Sequence, residues 1–302
     1  MNRPEAIEWH LGHMARDAST GKHSEWSVGA PVSADVVQEH QRHANFLIAL
    51  FSESPYSGLE KRYLELKTVL TSLQNPHTKN GTLPYLGNEI RTRLDDLLSA
   101  LRAFDDRTSH DLKKSFGENS EPFRTFKEAL SHEYDNEFAY RFMFKLRNYS
   151  QHCGQPEMAG QVRSSRAADG TTVRLASLAF DSRELLRRFN KWGTQVKEEL
   201  KEIDGRFEVE PIVDRLMFSC GQAYSKMLVS QESAIRSASA FIRTCDRRPD
   251  GIDALPCFFG LERGQGIKSG TTDWSVKFVL LEIANHAEVT LNSAKAVTGG
   301  NC

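Results

Sequence analysis

Residues 121–156 read EPFRTFKEAL SHEYDNEFAY RFMFKLRNYS QHCGQP, and their spacing decides the fold class. Phe123, Phe126, Leu130, Tyr134, Phe138, Phe142, Leu146 and Tyr149 recur at steps of three or four. That period gathers them on one stripe of a long helix, the side that packs on a core. Pro122 suits a first helical turn, whose amides have no helical partner. Gly154 and Pro156 close the helix, because Gly accepts the left-handed cap and Pro cannot continue the ladder. Arg147, Asn148, Gln151 and His152 fall on the polar half, away from the stripe. A polar face carrying a cation, two amides and an imidazole is expected to meet solvent, a ligand or another chain.

The helical period continues on both sides. Ala34 to Phe51 is a predicted helix, as are the runs Leu59, Tyr63, Leu66, Leu70, Leu73 and Ile90, Leu94, Leu97, Leu101, Phe104. Asn75-Pro76 and Asn80-Gly81 mark the turn between the last two. Residues 1–33 are expected to form a weakly ordered arm: a short helix over Pro4 to Arg16, then a Ser-, Gly- and Pro-rich run without period. Residues 157–180 predict a β-hairpin, with Ala168-Asp169-Gly170 as its turn and Thr171 to Leu175 as β-prone sequence. Leu185, Phe189, Trp192, Val196, Leu200 and Ile203 restore helical spacing. A helix of about 30 residues is expected from Val209 toward Arg243, then loop from Pro249 to Gly270 and a last helix from Trp274 to Ala296. The expected fold is therefore mostly α, a helical bundle with long helices and one small β-hairpin insertion. Its regions are the arm 1–33, a motif-bearing helical region 34–156, the hairpin 157–180, and a C-terminal helical region 181–302 packed on the first.

The 302 residues are 39% hydrophobic and carry a net charge of −1. Mean hydropathy is −0.50, and no window approaches the ~18 apolar residues of a membrane span, so no membrane partner is expected. Met1 to Arg16 carries Glu5 and Glu8 rather than a basic-then-apolar leader, so no secretory signal is expected there, and the cysteine pattern points to a cytoplasmic protein. Cys153, Cys220, Cys245, Cys257 and Cys302 are widely spaced and contain no C-x-x-C, which fits reduced thiols. Charge is uneven: from Arg141 to Lys191 ten Lys and Arg face four acids, leaving that window at +6 and the rest at −7. Such a window suits a phosphate-bearing partner. It equally suits a solvated surface balanced by acidic neighbours in three dimensions.

Arg147 and His152 form an R-x-x-x-x-H element at a helix end, with Asn148 directly after the arginine. Over these few tens of residues the chain resembles the HEPN superfamily. The resemblance implies a helical bundle and a metal-independent endoribonuclease with a toxin or phage-defence role, active without a cofactor. It also implies a homodimer in which two motif helices meet, with RNA as substrate and an antitoxin or defence protein as a further partner. Arg147, Asn148 and His152 would be catalytic, with Arg141, Lys145 and Gln151 as RNA contacts. The alternative within the same resemblance is a non-catalytic module that binds RNA, nucleotide or a protein.

The chemistry is sound on its own terms. A neutral imidazole can take the proton of a ribose 2′-hydroxyl. A guanidinium can hold two phosphate oxygens as charge builds. The same residues also suit a structural role, since cations and side-chain donors are favoured at helix C-termini. His10/His13 and His40/His43 are H-x-x-H pairs without a third ligand at recognised spacing, so exposed helical histidines are expected and no metal. Cys257-Phe258-Phe259-Gly260 is expected in a loop, either stacking on a base or tucked onto the core. Arg243, Arg247 and Arg248 suit either phosphate or a helix end.

Overall fold

Apolar spacing at the helical period accounts for most of the chain, and a computed structural model describes residues 7–16, 19–20, 23–73, 83–166, 172–249, 251–262 and 275–299. The fold is mostly helical, with small antiparallel sheets. It divides into two units, one of Met1–Glu53 with Gln231–Ser293, the other of Ser54–Ser230 with Ala294–Cys302. The regions expected from sequence are thus regrouped: the N-terminal residues share a unit with much of the C-terminal third.

The first unit opens with β1 (Ile7–Arg16) and β2 (His23–Val32), which pair antiparallel, followed by α1 (Ala34–Phe51). The expected arm and its short helix are corrected here. Trp9 and Leu11 alternate inward at 8% and 7% exposure, a two-residue period the histidines and glycines around them obscure. Gly12 is no sign of disorder: a Cβ there would lie 2.1 Å from the Ser27 carbonyl oxygen, so the close strand approach demands glycine.

The second unit contains α2 (Pro55–Leu73), α3 (Leu83–Phe116), α4 (Glu121–Asn136) and α5 (Phe138–Cys153). The expected turns at 75–81 and 168–170 lie outside the described residues. The single long helix predicted over the opening stretch is two. Asn136 donates from its side chain to the His132 carbonyl at 2.8 Å, ending α4, and Glu137 adopts an extended backbone (φ −113°, ψ 112°). The apolar stripe runs across the break because both helices bury it: Phe126, Phe142, Leu146 and Tyr149 are 0–1% exposed. Each such side chain contributes about 1.5–3 kcal/mol by leaving water.

The predicted hairpin is present as β3 (Met158–Arg166) and β4 (Thr172–Asp181), paired in register from Met158↔Phe180 to Arg166↔Thr172. Next come α6 (Ser182–Arg188), α7 (Thr194–Ile203), β5 (Arg206–Glu208), which adds to β4, and α8 (Val209–Val229). α6 and α7 replace one expected helix. Gly193, at φ 82°, breaks it between Phe189 and Thr194. α8 packs on α4, α5 and α2.

The chain then returns to the first unit with α9 (Glu232–Thr244), β6 (Ala254–Glu262), β7 (Ser275–Phe278) and α10 (Leu281–Gly299), of which the residues from Ala294 on belong to the second unit. The predicted 30-residue helix stops at Ser230, whose hydroxyl donates to the Met227 carbonyl, and restarts after Gln231. The predicted loop from Pro249 holds β6, the centre of a sheet ordered β2-β1-β6-β7. Cys257, Phe258 and Phe259 are fully buried there, so they form core and not a base-stacking loop. β7 likewise takes the first residues of the predicted last helix.

Candidate functional site

The end of α5 is fixed from three sides. At its start Arg141 is 3% exposed, donating to Glu199 of α7 and, at 2.5 Å, to the Tyr134 carbonyl. Arg141 is therefore a structural tie between helices, and the expectation that it contacts RNA is corrected. Along its length Phe142 meets Trp192, Phe180 and Phe207 at ring separations of 5.7, 5.3 and 5.3 Å. Tyr149 meets Trp192 at 5.6 Å and Phe189 at 5.8 Å, and the Trp192 indole donates to the Leu185 carbonyl at 3.2 Å. At the end Gly154, at φ 81°, caps the helix as its sequence position predicts, and Gln155 donates to Asp95 of α3 at 2.9 Å.

This frame places the motif residues at the surface. Arg147 and Asn148 are half-buried, Gln151 and His152 exposed. Arg147 donates to the Gln151 side chain at 3.0 Å. With Leu98, Leu101, Arg102 and Phe144, Arg147 and Asn148 line a groove of about 210 Å³ between α3 and α5. Arg102 sits 5.6 Å over the Phe144 ring and is paired with Asp106 at 2.8 Å. Tyr140 and Met143, beside this groove, are core at 2% and 0% exposure.

His152 opens on a different groove. Its ring lies 18° from parallel to Phe189 at 6.3 Å, and both belong to a groove of about 340 Å³ with Cys153, Arg187, Arg188, Asn190 and Lys191. Five residues of helix turn His152 about 140° from Arg147. Within one chain the structure does not bring the imidazole and the Arg147 guanidinium together. Arg187 donates to Glu184 at 3.0 Å, which holds that carboxyl below its ordinary value and raises the guanidinium. Arg188 pairs with Glu157 and, at 3.9 Å, with Glu184. Lys145 lies 6.0 Å from the Tyr134 ring, on the side of Gly193. The sequence counts Arg187, Arg188 and Lys191 within the basic window and Phe189 within a helical apolar stripe; the signal this reading passes over is an aromatic set inside a basic run.

The rival constellations are not catalytic in form. His10 and His13 sit three apart on a strand, hence on opposite faces, and His40 is 3% exposed rather than at the surface. His43 is 3.0 Å from Glu39. Among the described residues no group of three His, Cys, Asp or Glu could hold a metal. Arg243 pairs with Glu288 and Arg248 with Asp246, so both are tied within their unit. A wider cleft of about 740 Å³ in the first unit is lined largely by Leu255, Phe278, Leu280 and Ile283, and its cation, Arg248, is the one held by Asp246. No described helix is long and apolar enough to cross a membrane. Comparison of the chain with family models, curated proteins and solved structures finds no match.

Proposed function

We propose that this chain is a metal-independent endoribonuclease of HEPN type, acting as a cytoplasmic homodimer in a toxin or phage-defence setting. The observation that carries the reading is the exposed His152 imidazole at the end of α5, in a groove bordered by Arg187, Arg188 and Lys191. His152 removes the proton of a ribose 2′-hydroxyl, and that oxygen attacks the adjacent phosphorus. The bond to the 5′-oxygen breaks, and the leaving oxygen takes a proton. The products are a 2′,3′-cyclic phosphate and a 5′-hydroxyl. Arg147 holds non-bridging oxygens and Asn148, one turn before His152, orients the phosphate or the ring. Because Arg147 and His152 of one chain open on separate grooves, the reading requires α5 of a second copy to complete the site, as the resemblance implies.

That same separation favours a second reading, a non-catalytic module that binds RNA, nucleotide or a protein partner through its basic groove. One experiment divides them. Purified protein is incubated with RNA in excess EDTA beside His152→Ala. Cleavage by the parent alone supports the enzyme; binding without cleavage by either supports the module.

A further inference from the structure

The loop 189–193 runs along one side of α5. Phe189 meets His152, Trp192 meets Tyr149 and Phe142, and a Cβ on Gly193 would lie 3.7 Å from Lys145 Cε and 4.0 Å from its Nζ. Lys145 and His152 are seven residues apart on α5, so they share a face to within about 20°. The loop therefore spans the interval between an imidazole and an amine, with Lys191 midway along it. Charges in this strip are unequal. Arg187 and Arg188 are matched by Glu184 and Glu157. Lys191 is exposed, and neither it nor Lys145 has a carboxylate partner among the described residues.

We propose that Lys191, together with Lys145, holds the RNA phosphate presented to His152, so that each chain carries its own phosphate-binding strip on the side of α5 opposite Arg147. This rests on the ribonuclease reading and adds to it a substrate contact outside the R-x-x-x-x-H element. An uncompensated ammonium at a groove suits a phosphodiester, because its charge is not already spent on a neighbour. Buried Trp192 (0% exposed) anchors the backbone next to Lys191, so the amine is offered from a fixed base. Arg187 and Arg188, already paired, contribute less.

The test separates binding from cutting. A short 2′-O-methyl RNA lacks the nucleophile and cannot be cleaved, so its affinity for the full chain is read by fluorescence anisotropy across a salt series. Lys191→Glu is expected to weaken binding about tenfold and to flatten the salt slope by about 0.7, the share of one phosphate contact on a single strand. Lys145→Gln should move both quantities the same way. An unaltered affinity and slope for Lys191→Glu overturns the assignment, as does an absence of any RNA binding by the parent chain. If the parent binds through Lys191 yet leaves ordinary RNA intact, the strip stands and the cleavage reading falls.

Discussion

The imidazole of His152 lies nearly parallel to the ring of Phe189, their planes 18° apart and their centroids separated by 6.3 Å. Phe189 is itself buried at 7% exposure and set edge-on to Trp192 at 5.4 Å. The exposed imidazole thus rests on a wall that the core holds still.

Phe189→Leu keeps an apolar wall and removes the flat surface. The expected result is a kcat for RNA cleavage lowered roughly tenfold with KM little changed, because a misplaced base is costly while substrate binding is not touched. Steady-state kinetics check this; an unchanged kcat would show that Phe189 only fills space.

Arg141→Ala removes the donor shared by Glu199 and the Tyr134 carbonyl. Leaving that carboxylate beside an emptied, half-buried site should cost about 3 kcal/mol. Urea unfolding measures it. The folded variant should bind RNA within about twofold of the parent, since Arg141 lies beneath the surface. A selective loss of affinity without loss of stability would return Arg141 to the binding face.

His40 supplies a pH dependence. Burial, with His43 on the same helix and Lys277 on β7, holds its imidazole down from 6.5 to about 4. Its Nε2 has no hydrogen-bond partner among the described residues, and its ring meets Phe258 edge-on. The folded-state value is depressed. Below pH 6.5 the unfolded chain therefore takes a proton that the folded chain refuses, and stability falls as pH drops toward 4. The loss from this group reaches up to about 3 kcal/mol. His40→Leu should flatten that acid limb in urea titrations taken between pH 7 and 4. An identical pH profile for the variant would remove His40 as its source.

Thiol chemistry reads the same burial map. Cys220 and Cys257 are fully buried, burial pushing the Cys257 thiol up to about 11 and the Cys220 thiol higher still. Cys153 is half-buried, donates to the Arg188 carbonyl at 3.4 Å and borders His152. Brief alkylation of native protein, mapped by mass spectrometry, should modify Cys153 well before Cys220, Cys245 or Cys257. The adduct at Cys153 should block RNA cleavage. Equal labelling of the four would contradict the packing described for both units.

Much of this was legible in the sequence, for identifiable reasons. α1, α2 and α3 follow their three- and four-residue apolar steps, and Gly154 ends α5 where its backbone freedom predicts. Helix breaks were not legible where the stripe continues across them. At Asn136-Glu137 and at Phe189 to Gly193 the apolar register survives a change of direction, since both sides pack on one core. The four-stranded sheet was hidden because glycine reads as loop. Gly260, where a Cβ would stand 3.0 Å from the Trp9 ring, is required by close packing between strands. At the site, residue type and exposure of His152 were readable. The sequence reading puts Arg147 and His152 on one polar half, although a five-residue step sets them about 140° apart, which is why they open on separate grooves. What could not be read was the loop 189–193, which comes to α5 from over thirty residues away and brings Lys191 with it.

The most direct measurement follows a 5′-labelled RNA incubated with the purified chain in excess EDTA, with the new ends identified chemically. Cleavage leaving 2′,3′-cyclic phosphate and 5′-hydroxyl ends, lost in His152→Ala of unchanged stability, is the predicted result. Intact RNA, or equal cleavage by that variant, would contradict the account.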